Sequence, residues 1–305
     1  MEQTNQKYLG GSGLIIFIAL LSAFVPLSTD LYLPALPAMS TIFGVSADQI
    51  NLTLTAFFIF YALGTLIWGP MSDHFGRRPI LITGLSIYVI SSISCAFSPN
   101  INGLIISRIF QAVGGSAAGA VATAIVKDVY SGKKRGTVLA IVQSMVLISP
   151  AAAPVLGAYL LKVMSWRGVF GTLTAIGILA MIGSLLFEES IAQRTHGALL
   201  PAFGRIFKVL QNRRFTVLLI LFSLGSVSSL AFIASSTYIY QDSFHLTGQM
   251  YSFYFAFNAL GFILGPMIFL WLSQWHNSEK IIQGAYIVIA VSGLLVCFLG
   301  NIQPW

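Results

Sequence analysis

Long apolar runs broken by short polar clusters make up most of the chain. Nine such runs, at 14–33, 52–68, 80–97, 103–126, 138–161, 169–187, 215–240, 251–272 and 281–299, each approach the roughly 20 residues that a helix needs to cross a hydrocarbon core. The pattern predicts an all-α fold, a polytopic bundle of membrane-spanning helices. Composition agrees: 56% of residues are hydrophobic and 8% charged, too few charges to coat a soluble protein of 305 residues. A net charge of +7 also suits nucleic-acid binding, but the bases sit in short loops between the apolar runs, where they act as orientation signals. With the N-terminus cytoplasmic, thirteen of the sixteen Lys and Arg lie inside and only Lys162 and Arg167 outside, which places the last residue, Trp305, outside. The run at 14–33 is long and lacks an A-x-A-like cleavage site, so it reads as a retained first span. Cys95 and Cys297 both fall inside spans, so no disulfide framework is indicated.

Between the second and third runs lies GPMSDHFGRRP, residues 69–79, too polar to enter lipid. Gly69, Pro70 and Gly76 are expected to stop the helix and permit a tight reversal, with Arg77 and Arg78 holding the turn on the cytoplasmic side. Asp73 precedes Arg77 by four residues, within ion-pairing reach wherever the backbone there is helical.

Two charges lie inside spans. Asp30, in STDLYLPALP, falls about 24 Å along the first span, a depth at which a carboxylate must face protein or a water-filled cavity; if the span ends early it is an interfacial turn former instead. Arg108, in LIISRIFQAVGG, lies about 8 Å into the fourth span, at a depth similar to that of Asp30, its expected partner; a structural ion pair or snorkelling to the headgroups is the alternative. Gln111 shares the face of Arg108 and is placed to orient it. In the fifth span Ser149, Ala153 and Gly157 recur every four residues, a flat face for close helix packing, while Pro150 and Pro154 loosen the backbone; Gly261 and Gly265 in the eighth span are the expected partner face. Tyr32, Phe57 and Tyr61 are candidate cavity aromatics.

The chain divides into a six-span half at 1–187, a linker at 188–214 and three further spans at 215–305. In the linker Leu199, Phe203, Ile206, Phe207 and Leu210 recur with helical period, opposite Arg205, Lys208 and Gln211, as in a helix lying on the inner membrane surface. ALG followed by GPM at Ala62 to Met71 recurs at Ala259 to Met267, and Cys95, Asn100 and Ile101 are echoed by Cys297, Asn301 and Ile302, a same-orientation repeat at an offset of about 200 residues. Two such halves predict a chain near 400 residues, so about nine of twelve spans are expected here and spans ten to twelve are expected to be lacking.

The loop at 69–79 resembles the signature of the major facilitator superfamily between spans two and three. Leu104, Arg108 and Gln111 match its span-four motif, with Ala112 where a glycine is usual, and SPAAAPVLGAYL resembles its antiporter span-five signature, with Ala153 and Ala158 replacing glycines. Together with DLYLPALP and Trp166-Arg167 these stretches look like the bicyclomycin and chloramphenicol resistance subfamily of drug:proton antiporters. The resemblance implies an inner-membrane, proton-driven multidrug exporter working by alternating access as a monomer, with no cofactor and with lipid, protons and a small lipophilic or cationic drug as its partners. It implies that Asp30 carries the proton and Arg108 couples to it, and that Gly69, Asp73, Gly76, Arg77 and Arg78 form an inner latch, Asp73 acting on a helix N-terminus of the second half. A metabolite transporter for a nucleoside or sugar, and a fragment without transport activity, are the competing readings. An enzyme is not expected: His74, His196, His245 and His276 are scattered among loops without metal spacing, and no phosphate-cradling loop occurs.

Overall fold

The computed structural model describes residues 6–191, 204 and 208–300, and among them every regular element is a helix. The first span is broken. Helices α1 (Gly10–Ser22) and α2 (Phe24–Asp30) meet at Ala23, a short 3-10 turn at Leu33–Ala35 follows, and α3 (Leu36–Phe43) ends at Gly44 with φ +64°, the left-handed geometry that favours glycine. The two parts of this span are bent by 41°. Pro26 sits inside α2 and supplies no amide to the Ser22 carbonyl, which localises the break.

Then come α4 (Ala47–Phe75), α5 (Arg77–Ala96), α6 (Ile101–Val129), α7 (Gly132–Val163), α8 (Trp166–Leu186), α9 (Arg213–Tyr238), α10 (Gly248–Leu272) and α11 (Ser278–Gly300). Among the described residues six helices are long and apolar enough to cross a membrane, seven with the bent pair counted as one; α10 and α11 stand where the eighth and ninth spans are expected. Local chemistry sets the starts. Ser46 and Gln49 cap α4 reciprocally, and Asn100 accepts from Gly103 N at 2.8 Å at the head of α6.

The expected turn at 69–79 contracts to a single residue. Gly69 and Pro70 do not stop α4, which runs on to Phe75; Gly76, at φ +107°, alone separates it from α5. At 29 residues α4 is about 43 Å long, more than the core thickness, so its last turns project beyond the hydrocarbon, where charged residues stay helical at little cost.

Helix α6 is the central post. A Cβ at Gly114 would meet the Tyr88 backbone of α5, one at Gly84 would meet Ala117, and one at Gly64 would meet Ser116 of α6, so three glycines bring α4 and α5 onto α6. The small face of α7 is used as expected, against different partners: a Cβ at Gly157 would fall on the Leu31 carbonyl oxygen, and Ser252 Oγ of α10 donates to the Pro154 carbonyl at 2.9 Å. Among the described residues a Cβ at Gly261 or Gly265, the expected partner face, would meet nothing within 4 Å, because α10 touches α7 near its own start, where Tyr251, Ser252, Phe255 and Ala259 are buried. Gly157→Ala is therefore expected to destabilise the protein by about 1–3 kcal/mol through overpacking, whereas Gly261→Ala is neutral or stabilising by up to ~1 kcal/mol through helix propensity. Thermal midpoints in detergent check both signs.

The expected surface helix built on Leu199, Phe203, Ile206 and Phe207 lies outside the described residues. Side chains such as Leu218, Phe222 and Phe257 point outward from α9 and α10, as a lipid-facing surface requires.

Candidate functional site

Helices α1, α2, α4, α6, α7 and α9 line an open cavity of about 400 Å³. Thr29 and Asp30 reach it from α2, Phe58 and Tyr61 from α4, Gln143 and Pro150 from α7. Its walls are otherwise largely apolar, with Val25, Val146, Leu230 and Ile233 among them, and Asp30 is the one acid on the lining, which carries no Lys, Arg or His among the described residues. The Asp30 side chain is nearly enclosed, and Thr29 Oγ1 donates to its Oδ1 at 2.8 Å.

Arg108 sits behind that wall, fully buried. Its Nη1 donates to the Ser28 carbonyl at 2.9 Å and to Gln111 Oε1 at 2.5 Å, while Gln111 Nε2 donates to Ser92 Oγ at 2.7 Å. The structure thus brings Gln111 onto Arg108 as its spacing predicts. The guanidinium carbon lies 4.2 Å from the ring centre of Phe57, 4.7 Å from that of Tyr32 and 5.9 Å from that of Phe170. Desolvated cation–π contacts of this kind contribute about 2 kcal/mol each. Nε and Nη2 have no hydrogen-bond partner among the described residues.

Two expectations are corrected here. Asp30 and Arg108 share no ion pair: among the described residues the ion pairs are Arg77–Asp73 and Arg77–Asp128. Position along a helix does not fix azimuth, because residues two apart on a helix face different ways. Ser28 turns toward Tyr88 of α5 and Arg108 of α6, so Asp30 turns toward the cavity. Tyr32 and Phe57 do not line the cavity; they hold Arg108, with the Tyr32 hydroxyl 2.7 Å from Thr53 Oγ1. Tyr61 does line it, and beside it is Phe58, which the sequence reading passed over although it shares a face with Tyr61 at i, i+3.

At the far end of α4, Asp73, Arg77 and Arg78, three of the residues expected as a latch, join a hydrogen-bonded network. Arg77 Nη1 meets Asp73 Oδ1 at 2.6 Å, the predicted pair, and its Nε donates to Asp128 Oδ2 of α6 at 2.8 Å. Glu189 caps α5 from a distance in sequence, accepting from Arg77 N at 2.9 Å and Arg78 N at 3.2 Å, a favourable place for a carboxylate at a helix N-terminus. Arg78 Nη2 donates to the Leu185 carbonyl at 2.6 Å. Gly76 provides the reversal, and Gly69 lies two turns up α4 with open space around it. Asp128 and Glu189 were missed; an acid at the inner end of a span, in a chain with nine acids, was the available signal.

The family model described as Major Facilitator Superfamily matches residues 18–305. An uncharacterized MFS-type transporter, YdgK, of Bacillus subtilis is 29% identical over 260 residues, covering 84% of this chain and 65% of that protein. The chloramphenicol resistance protein of Pseudomonas aeruginosa is 36% identical over 186 residues, 59% of this chain and 44% of that protein. A bicyclomycin resistance protein homolog of Haemophilus influenzae is 23% identical over 285 residues, 92% of this chain and 71% of that protein. The chain thus spans less than two thirds of the length of the first two. Among solved structures, a bacterial homolog to the human lysosomal transporter Spinster, inward-facing and unoccupied, has the same fold at a TM-score of 0.72 and 18% identity, over 90% of this chain and 64% of that one.

Proposed function

The chain belongs to the Major Facilitator Superfamily, and from that premise we propose that it works as a drug:proton antiporter of the cell inner membrane, by alternating access and with its N-terminus cytoplasmic. The observation that carries this reading is Asp30, a nearly enclosed acid on an otherwise apolar cavity. An acid at that depth is costly unless it has work to do. Ionised, it attracts a cationic substrate in a low-dielectric wall; protonated, it releases it, so proton and substrate compete for one group. The energy source is the proton gradient, and no cofactor takes part.

The names of two relatives, a chloramphenicol resistance protein and a bicyclomycin resistance protein homolog, support an exported drug. A relative named citrate exporter 1, of Aspergillus niger, favours a metabolite instead. The lining supplies an anion nothing to pair with, since the nearest guanidinium described at this site, Arg108, is sealed behind Tyr32 and Phe57; a lipophilic cation is the better fit. Thirteen inner basic residues against two outer ones support the orientation.

Cells producing the 305-residue chain are expected to export a fluorescent lipophilic cation, and an uncoupler is expected to abolish that export. Export that persists after the proton gradient has collapsed would sink proton coupling.

A further inference from the structure

Helix α7 contributes one polar side chain to the cavity whose presence the antiporter reading does not explain. Val142, Gln143, Val146 and Pro150 form its cavity face, at spacings that share one side of a helix. Gln143 lies nine residues, about 13 Å, along the helix from Lys134, on a largely apolar cavity wall where an amide finds little to pair with. Its neighbour Ser144 satisfies itself by donating to the Ala140 carbonyl at 2.8 Å. Gln143 makes no hydrogen bond to the protein among the described residues; its side chain is exposed, and the space it faces is the cavity. The Tyr61 hydroxyl also reaches the lining, its oxygen set over Gly119, where a Cβ would collide with it.

The two ends of the cavity therefore differ. Leu31, next to Asp30, abuts α7 at Gly157, and Gln143 is fourteen residues, about 21 Å, further toward the Lys134 end of that helix. One end offers a carboxylate, the other an amide that both donates and accepts.

We infer that Gln143 is a specificity-determining residue: its amide hydrogen-bonds a carbonyl or hydroxyl group on the same amphiphilic cation whose charge Asp30 holds. This rests on the antiporter reading for Asp30 and adds to it the chemistry required at the other end of the substrate. An amide on an apolar cavity wall, desolvated when a ligand enters, disfavours a ligand that leaves it unpaired and favours one that completes it, so it discriminates among cations that Asp30 alone treats alike.

The test uses two ligands of equal length, N-(8-diethylaminooctyl)benzamide, whose extended chain sets its amine and carbonyl far enough apart to reach both residues, and the alkyl-aryl diethylamine that lacks the amide, titrated calorimetrically into the detergent-solubilised 305-residue chain. Gln143→Leu is expected to weaken the benzamide roughly fivefold and the plain amine less than twofold, with an unchanged thermal midpoint and with Gln143→Asn recovering part of the loss. Asp30→Asn is expected to weaken both ligands alike. If Gln143→Leu weakens both equally or neither, or if the wild-type chain binds the benzamide no better than the amine, the assignment of Gln143 is overturned. Should Asp30→Asn leave both affinities intact, it is the antiporter reading that fails.

Discussion

Replacing Arg108 by methionine together with Gln111 by leucine is expected to leave the protein at least as stable to heat and to lower substrate export at least tenfold. Taking a guanidinium out of water costs several kcal/mol, and in this fold no carboxylate offsets it; only the Ser28 carbonyl, Gln111 and three aromatic faces do. Exchanging such buried polar groups for apolar ones of similar volume is often neutral or stabilising by about 1–4 kcal/mol; Gln111 is changed as well so that its amide is not orphaned, and the Ser28 carbonyl, which loses its donor, offsets about 1–3 kcal/mol of that gain. Function is expected to fail because Nε and Nη2 carry donors that nothing in this conformation uses. In the antiporter reading proposed above, Arg108 couples to Asp30, and these two donors are what it has to offer a carboxylate. Melting curves and export assays on the same preparations check both halves. A large drop in thermal midpoint would make Arg108 a structural strut, and unimpaired export would remove it from coupling.

Asp30→Asn is expected to have the largest effect on binding. Asparagine keeps an acceptor for Thr29 Oγ1, so α2 and its cavity face stay in place, and what is lost is the charge and the exchangeable proton. A lipophilic cation is then held by apolar contacts alone, and its affinity is expected to fall at least tenfold and to lose its dependence on pH. In the wild-type chain the sign is set: substrate binds the ionised carboxylate, so affinity rises with pH, and binding at low pH must expel a proton.

Much of this was legible in the residues because the membrane leaves few choices. Run length announces spans, and a charge inside a run announces a site. Asp30, Arg108, Gln111 and the Asp73–Arg77 pair all follow from spacing along one helix. Spacing gives depth but not azimuth relative to a neighbouring helix, so Asp30 and Arg108 were expected to pair when a two-residue offset in α2 sends them to opposite sides. The same gap sent Tyr32 and Phe57 to the cavity rather than to Arg108, and matched Gly261 with a partner it does not meet. Contacts between distant residues, such as Arg77 with Asp128 and with Glu189, have no local signature at all. Pro70 misled for another reason: a proline ends a helix only where the lost bond matters, and α4 has left the hydrocarbon by then.

The central claim is that one carboxylate, Asp30, serves proton and substrate in turn. It is tested most directly by adding tetraphenylphosphonium to the 305-residue chain in weakly buffered detergent solution and counting the protons released. The measurement follows binding and not turnover, so it reads the carboxylate directly. The account predicts proton release that saturates with binding in the wild-type chain and none from Asp30→Asn at ligand concentrations that still fill the cavity. Binding by the wild-type chain without release, or undiminished release from Asp30→Asn, would contradict it.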